Sequence, residues 1–255
     1  MNKIALVTGA TSGIGRAVSV ALAKEGYNLI ITGRRSAKLT ELSNCIKRDF
    51  SVRVLELSFD VRDLSSVNRN LGSLPDDWCE IDLLINNAGL AVGLNSVDQG
   101  LTDDWNRMID TNIKGLLYVS KVVSAVMVKR GRGHIINIGS IAGKSVYPNG
   151  NVYCATKHAV DALSRAMLVD LYMHNIKVSQ VCPGAVETEF SEVRFKGDTK
   201  RASEVYKGFT PLKAEDVAEV IRFIATAPDH VNISDVVVMP SAQASATHIK
   251  REQGL

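Results

Sequence analysis

The chain is poor in the residues that would tie it to a metal, a membrane or an oxidising compartment. Four cysteines in 255 residues (Cys45, Cys79, Cys154 and Cys182) are widely spaced and form no CxxC pair. That spacing argues against both a disulfide framework and a zinc site. The five histidines are scattered and none sits at metal-ligand spacing, so no metal is expected. Apolar runs are short, such as IALV (4–7) and NLII (28–31), and none approaches the roughly 20 residues of a membrane span. Neither charge sign dominates. A net charge of +3 with 22% charged residues is too mild to argue for nucleic acid or an anionic membrane. A strand is expected from Lys3, which leaves no room for a signal peptide. A reduced, soluble, cytoplasmic protein is the expectation.

What the chain does have is apolar content, 45% of its residues, enough for one large core over 1–255. Short runs rich in Ile and Val alternate with helical patterns. Strands are expected over 3–8, 27–32, 52–58, 81–86, 133–139, 176–182 and 233–239. Helices are expected near 13–25, 36–48, 63–72, 103–130, 152–174 and 214–226. Nearly continuous apolar strands separated by helices imply a parallel sheet covered on both faces, the doubly wound α/β class. One stretch breaks the rhythm. Residues 187–212 are charged and weakly periodic, as expected of a lid or mobile loop. Within it, EVRFKG reads as extended, with Arg194 and Lys196 on one side and Phe195 on the other.

The segment ALVTGATSGIG (5–15) follows an apolar strand and opens a helix. Gly9, Gly13 and Gly15 permit a tight turn and close approach of a pyrophosphate, and the helix N-terminus offers it amides. Thr11 and Ser12 add hydroxyl donors. The second strand ends in IITGRRSAK, with no acid between Thr32 and Lys38. A site for NAD wants an acid there; the adjacent Arg34 and Arg35 suit a 2′-phosphate instead, so NADP is the expected cofactor. Asp60 can accept from an adenine amino group or cap the next helix, a role that Asp63 fits better. INNAG (85–89) has small residues suited to a backbone passing close to a nucleoside; alone it is only a turn. Tyr153 and Lys157 are four apart, so a phenol and an ammonium share one helix face.

Taken in order, TGATSGIG (8–15), DV (60–61), NNAG (86–89), Asn112 in DTNIKG, INIGS (136–140), YxxxK (153–157) and PGAVET (183–188) resemble the short-chain dehydrogenase/reductases from Lys3 to about Pro240. That resemblance implies a Rossmann-type seven-stranded parallel sheet and a homo-oligomer, most often a dimer or tetramer. It assigns Tyr153 as acid/base, Lys157 as its activator, Ser140 as donor to the substrate carbonyl, and Asn112 as the fourth member. It also implies cofactor contacts from Gly9, Thr11, Ser12, Gly13, Ile14, Gly15, Arg34, Arg35, Asp60, Val61, Asn87, Ala88, Gly89, Tyr153, Lys157, Pro183, Gly184, Val186 and Thr188. A free phenol has a pKa of about 10, and an adjacent ammonium together with the positive nicotinamide of the oxidised cofactor is expected to lower it. The Asn112 amide is expected to disturb a long helix and hold a water on a proton path to Lys157. Cys154 and Cys182 read as packing residues.

Further stretches, including HIINIGSIAG (134–143) and TEFSEVRFKGD (188–198), resemble the NADP-dependent β-hydroxy acid dehydrogenases, a branch of cytosolic tetramers acting on serine, allo-threonine and 3-hydroxyisobutyrate. The resemblance implies a small, carboxylate-bearing substrate, met by Ser140 and by a cation from among Lys144, Arg194 and Lys196. The loop GSIAGKSVYPNG departs from the aromatic-rich loop expected of that branch. A broad aldehyde/ketone or 3-ketoacyl reductase and a non-catalytic dinucleotide-binding regulator are the competing readings; the complete Asn-Ser-Tyr-Lys set argues against the second.

Overall fold

Strands β1 (Ile4–Val7), β2 (Asn28–Gly33), β3 (Val54–Ser58), β4 (Ile81–Asn86), β5 (Gly133–Ile138), β6 (Ile176–Pro183) and β7 (Asp235–Val238) form one seven-stranded sheet in the order 3-2-1-4-5-6-7. Every neighbouring pair runs parallel. The structure is a computed structural model and describes residues 3–252. The helices are α1 (Gly13–Lys24), α2 (Ser36–Asp49), α3 (Leu64–Leu71), α4 (Thr102–Ile109), α5 (Leu116–Arg130), α6 (Asn151–Leu171), α7 (Phe190–Arg194), α8 (Thr199–Glu204) and α9 (Ala214–Ala225).

All four residues of β1 are buried because both faces of the sheet are covered. Ala5 and Val7 pack with α1, α2 and α9 through Val18, Leu22, Leu39 and Ile221. Ile4 and Leu6 face the other way, toward Val67, Val119 and Met127 on α3 and α5. This two-sided burial is why the strands read as continuous apolar runs rather than alternating ones. A buried polar ladder crosses the sheet beneath the site: Asn86 donates to Ser120 Oγ (2.8 Å) and Asn137 Oδ1 (2.9 Å), and Asn137 donates to Ser164 Oγ (3.0 Å). It ties β4 and β5 to α5 and α6.

Strand order reverses between β1 and β4, and the crevice at such a switch point is where ligands of these sheets bind. The turns after the two strands are clamped together. Asn87 Nδ2 donates to Thr8 O (2.9 Å) and Gly9 O (3.1 Å), while Thr8 Oγ1 accepts from the amides of Asn87 and Ala88, each at 3.0 Å. Gly9 turns with φ +66°, and a β-carbon on Gly15 would collide with Gly9 O and Asn87 Nδ2.

Two local expectations are corrected. The helix expected over 103–130 is broken: α4 runs into a π-helical turn, Asp110–Gly115, before α5. Asn112 lies in that turn, its side chain drawn to the Leu90 backbone. EVRFKG is not extended. Helix α7 ends in a Schellman turn, with Lys196 at φ +55°, Lys196 N donating to Val193 O and Gly197 N donating to Glu192 O. The left-handed residue and the following glycine were the missed signal, and the turn sends Arg194 and Lys196 to different partners.

Substituting Gly15→Ala should disrupt this clamp. The added methyl meets the Gly9 backbone and the Asn87 amide, which is held by two hydrogen bonds, so a loss of about 1–3 kcal/mol in unfolding free energy is expected. Chemical denaturation checks it; a stability equal to that of the parent would refute the close approach.

Candidate active site

A cavity of about 350 Å³ opens at the carboxyl ends of the strands. Of the residues expected to hold the cofactor, all but Gly15 line it, as does Ser140. Gly15 lies behind the turn, against Asn87. Sequence reasoning missed Phe59, Glu189 and Phe190, which also line it. Glu189 and Phe190 sit inside a stretch with no strand or helix period, so nothing in the pattern pointed them inward.

The cavity suits a phosphorylated dinucleotide. Ser12 precedes α1 without capping it by its side chain, so the first-turn amides are free to meet an anion. The Ser12 hydroxyl accepts instead from Arg35 Nη2 at 2.8 Å, and Arg35 also donates to Thr11 Oγ1 at 3.0 Å. Arg35 thus lies beside the glycine turn, where a cation serves phosphate oxygens. Glu189 bridges Arg35 (2.8 Å) and Lys38 (2.7 Å), and these two cations draw its pKa down to about 2. Of the two roles open to Asp60, capping belongs to Asp63, which accepts from Ser65 N. Asp60 lines the cavity while accepting three side-chain contacts from Arg62.

Tyr153 and Lys157 open α6 and are both buried. Lys157 Nζ lies 6.0 Å from the Tyr153 ring centre and donates to Ile138 O at 2.9 Å. Burial pushes the Tyr153 phenol above its ordinary value, against a smaller pull from a Ser140 hydrogen bond. Burial also lowers Lys157 to about 8. In this arrangement the cost of desolvation is the largest influence on both groups. Ser140 caps the turn after β5, accepting from Ala142 N at 3.1 Å. Asn112 holds Leu90 by both ends, donating to Leu90 O and accepting from Leu90 N at 2.8 Å each, and donates to Thr156 Oγ1 at 3.0 Å. Both amide protons are used, so the side chain expected to hold a water keeps only one lone pair for it.

The three candidate cations separate. Lys144 is committed to Asp161 and Asp235, each at 2.5 Å, and lies outside the cavity lining. Lys196 is committed to Asp104 at 2.8 Å. Each of these two ammoniums therefore already has a carboxylate partner in this chain, Asp104 being buried, Asp161 partly buried and Asp235 exposed. Arg194 stays beside the chemistry. Its guanidinium lies 5.7 Å from the Tyr153 ring centre, Nη2 donates to Tyr147 Oη at 2.7 Å, and buried Nε has no partner among the described residues. It lines a smaller hollow of about 20 Å³ that continues past Tyr153. Phe190 covers the Tyr153 ring at 5.7 Å. Cys154 and Cys182 are buried, and burial raises both thiols. Among the described residues, no group of His, Cys, Asp or Glu converges on a metal site and no helix is long and apolar enough to cross a membrane.

Comparison with known proteins agrees with this geometry. The family model for short chain dehydrogenases matches residues 3–199. The NADP-dependent 3-hydroxy acid dehydrogenase YdfG of Salmonella typhi is 45% identical over 244 residues, covering 95% of this chain and 97% of that protein. The NADP-dependent 3-hydroxy acid dehydrogenase of Schizosaccharomyces pombe is 42% identical over 252 residues, covering 98% and 97%. A solved closed form of serine dehydrogenase complexed with NADP+ superposes with a TM-score of 0.90 at 43% identity, covering 98% of this chain and all of that one.

The buried ammonium has a cost that can be measured. Its folded-state pKa, about 8, lies below the ordinary lysine value, so burial destabilises the fold fully below pH 8. Between pH 8 and about 10.4 the folded state releases its proton first and the cost fades. Lys157→Met should therefore be more stable than the parent at pH 7, on the order of 2 kcal/mol after the lost bond to Ile138 O, with the gap closing toward pH 10. Melting curves of both proteins without cofactor check this; a variant less stable at pH 7 would show that the ammonium is well solvated.

Proposed function

The chain belongs to the short-chain dehydrogenase family, and we propose that it is an NADP-dependent oxidoreductase interconverting small β-hydroxy acids with the corresponding keto acids or semialdehydes. The observation that carries this reading is the convergence of Ser140, Tyr153 and Lys157 on one cavity whose other end holds Arg34 and Arg35. The first-turn amides of α1, with Thr11, Ser12, Arg34 and Arg35, would hold the pyrophosphate and 2′-phosphate. Asp60 and Val61 would flank the adenine, and Asn87 to Gly89 with Lys157 the riboses. Pro183, Gly184, Val186 and Thr188 would flank the nicotinamide. NADP bound there supplies a hydride acceptor and, in its oxidised form, a positive charge.

Tyr153 takes the proton of the substrate hydroxyl in oxidation and returns it in reduction. Its buried phenol stays protonated until positive charge stands near it, which couples proton transfer to a loaded site. Ser140 donates to the substrate oxygen and steadies charge that develops there. Lys157 holds its place through Ile138 O and lends positive charge to the phenol. Asn112 fixes the Leu90 backbone that borders the reacting groups. Residues 187–212 act as a lid over the nicotinamide end, and Arg194 on that lid receives the substrate carboxylate. Its unpartnered Nε beside Tyr153 supports this role. A closed lid excludes water, which strengthens such a charge pair. A cytoplasmic homotetramer of single-domain subunits completes the reading.

Two measurements test the proposal. Tyr153→Phe should fold and bind cofactor while losing about 10²–10⁴-fold in turnover; near-parental turnover would remove the phenol from the mechanism. The second compares a β-hydroxy acid with its methyl ester. The parent should prefer the acid, and Arg194→Ala should lose that preference with little change toward the ester. Indifference in the parent would favour a broad carbonyl reductase of the same family instead.

A further inference from the structure

Both arginines expected at a 2′-phosphate already have an anion of this chain beside them. For Arg34 the pair is loose, with Nη1 at 3.8 Å from Asp60 Oδ2. Arg35 is held closely. Nη1 donates to Glu189 Oε2 at 2.8 Å, Nε to Thr11 Oγ1 at 3.3 Å, and Nη2 to Thr11 Oγ1 at 3.0 Å and Ser12 Oγ at 2.8 Å. The other oxygen of Glu189 accepts from Lys38 Nζ at 2.7 Å. One carboxylate therefore bridges a cation just beyond β2 and another in the first turn of α2. Glu189 comes from the opposite wall of the cavity. It directly precedes α7, whose Phe190 lies on the Tyr153 ring. Arg35 and Glu189 both line the cavity.

We propose that Glu189 is this chain's own counterion for the 2′-phosphate site, so that NADP is selected by exchange: its phosphate takes Arg35 and Lys38 and displaces the Glu189 carboxylate. The inference rests on the reading of Arg35 as a 2′-phosphate ligand. Every nitrogen of the Arg35 guanidinium is engaged, so an arriving phosphate meets a formed network rather than an open fork. A phosphate monoester carries a charge of about −1.5 to −2 near neutrality, against −1 for a carboxylate, so it wins the exchange. The two anions cannot share the same two cations without strong repulsion. A cofactor that lacks the phosphate has nothing to exchange and leaves the bridge in place. Exchange also frees the residue that precedes α7. Phosphate binding at the adenosine end is thereby felt by the lid, which stays tied at the nicotinamide end through Arg194 to Tyr147, Arg194 O to Gly93 N, and Lys196 to Asp104.

Calorimetric titration of the full chain tests this, with adenosine 2′,5′-bisphosphate and 5′-AMP as probes. The proteins are the parent, Glu189→Gln and Arg35→Ala. Glu189 is partly exposed, so its amide variant should fold, and a melting curve confirms that. Glu189→Gln should bind the bisphosphate about three- to ten-fold more tightly than the parent, since two half-exposed ion pairs no longer have to be broken. Its affinity for 5′-AMP should change by less than about two-fold. Arg35→Ala should lose the advantage of the bisphosphate over 5′-AMP. An unchanged or weaker bisphosphate affinity in Glu189→Gln overturns the proposal, because Glu189 would then support Arg35 rather than compete for it. An equal gain for both probes also overturns it, because the carboxylate would merely narrow the cleft. If the parent binds both probes equally, or Arg35→Ala keeps the advantage, the 2′-phosphate reading itself has failed and the proposal with it.

Discussion

The clamp between the turns that follow β1 and β4 is the constraint on which the site depends. Parallel strands that diverge at a switch point leave a crevice, but a crevice alone positions nothing. Here the Asn87 side chain reaches back to Thr8 O and Gly9 O, and Thr8 Oγ1 receives two amides in return. Four hydrogen bonds over a few residues set the distance between the phosphate end and the reacting end of the cavity. Gly15 permits this approach because it offers no β-carbon to the Asn87 amide. The Asn86–Asn137–Ser164 ladder extends the same registration to α6, which carries Tyr153 and Lys157.

Upon that frame the site is built from charges kept at a disadvantage. Lys157 is buried with a single carbonyl partner, and its ammonium is accordingly easier to deprotonate. Tyr153 is buried and harder to ionise. Arg194 leaves one buried N–H unpaired beside that phenol. Burial without full compensation is unfavourable in the resting protein, and such cost concentrates at functional sites because a ligand of the right charge relieves it. Lys144 and Lys196 are the contrast. Each meets a carboxylate at close range and links segments distant in sequence.

Residues 187–212 show how local turn chemistry decides where charges go. Asp198 caps α8, and the left-handed Lys196 with Gly197 closes α7. Arg194 thereby points to the Tyr147 and Tyr153 rings and Lys196 to Asp104. An extended reading of the same six residues put both cations on one side, which the turn forbids.

Much of this was legible from the amino-acid order alone. Doubly wound sheets bury both faces of each strand, so seven apolar runs separated by helical patterns declared the fold. The glycine turn, the paired arginines and the Tyr-Lys spacing declared the cavity, because each depends on neighbours within one or two turns of the chain. What only the tertiary structure decided were contacts between segments far apart in sequence. These include the Asn112 grip on Leu90, 22 residues away, and the Glu189 bridge to Arg35, 154 residues away. The Lys144 bond to Asp235, 91 residues away, and the burial that shifts Tyr153 and Lys157 belong with them. The physical reason is common to all: a side chain's charge and partners are set by what packs against it, and sequence periodicity reports only which face is buried, not which residue lies across it.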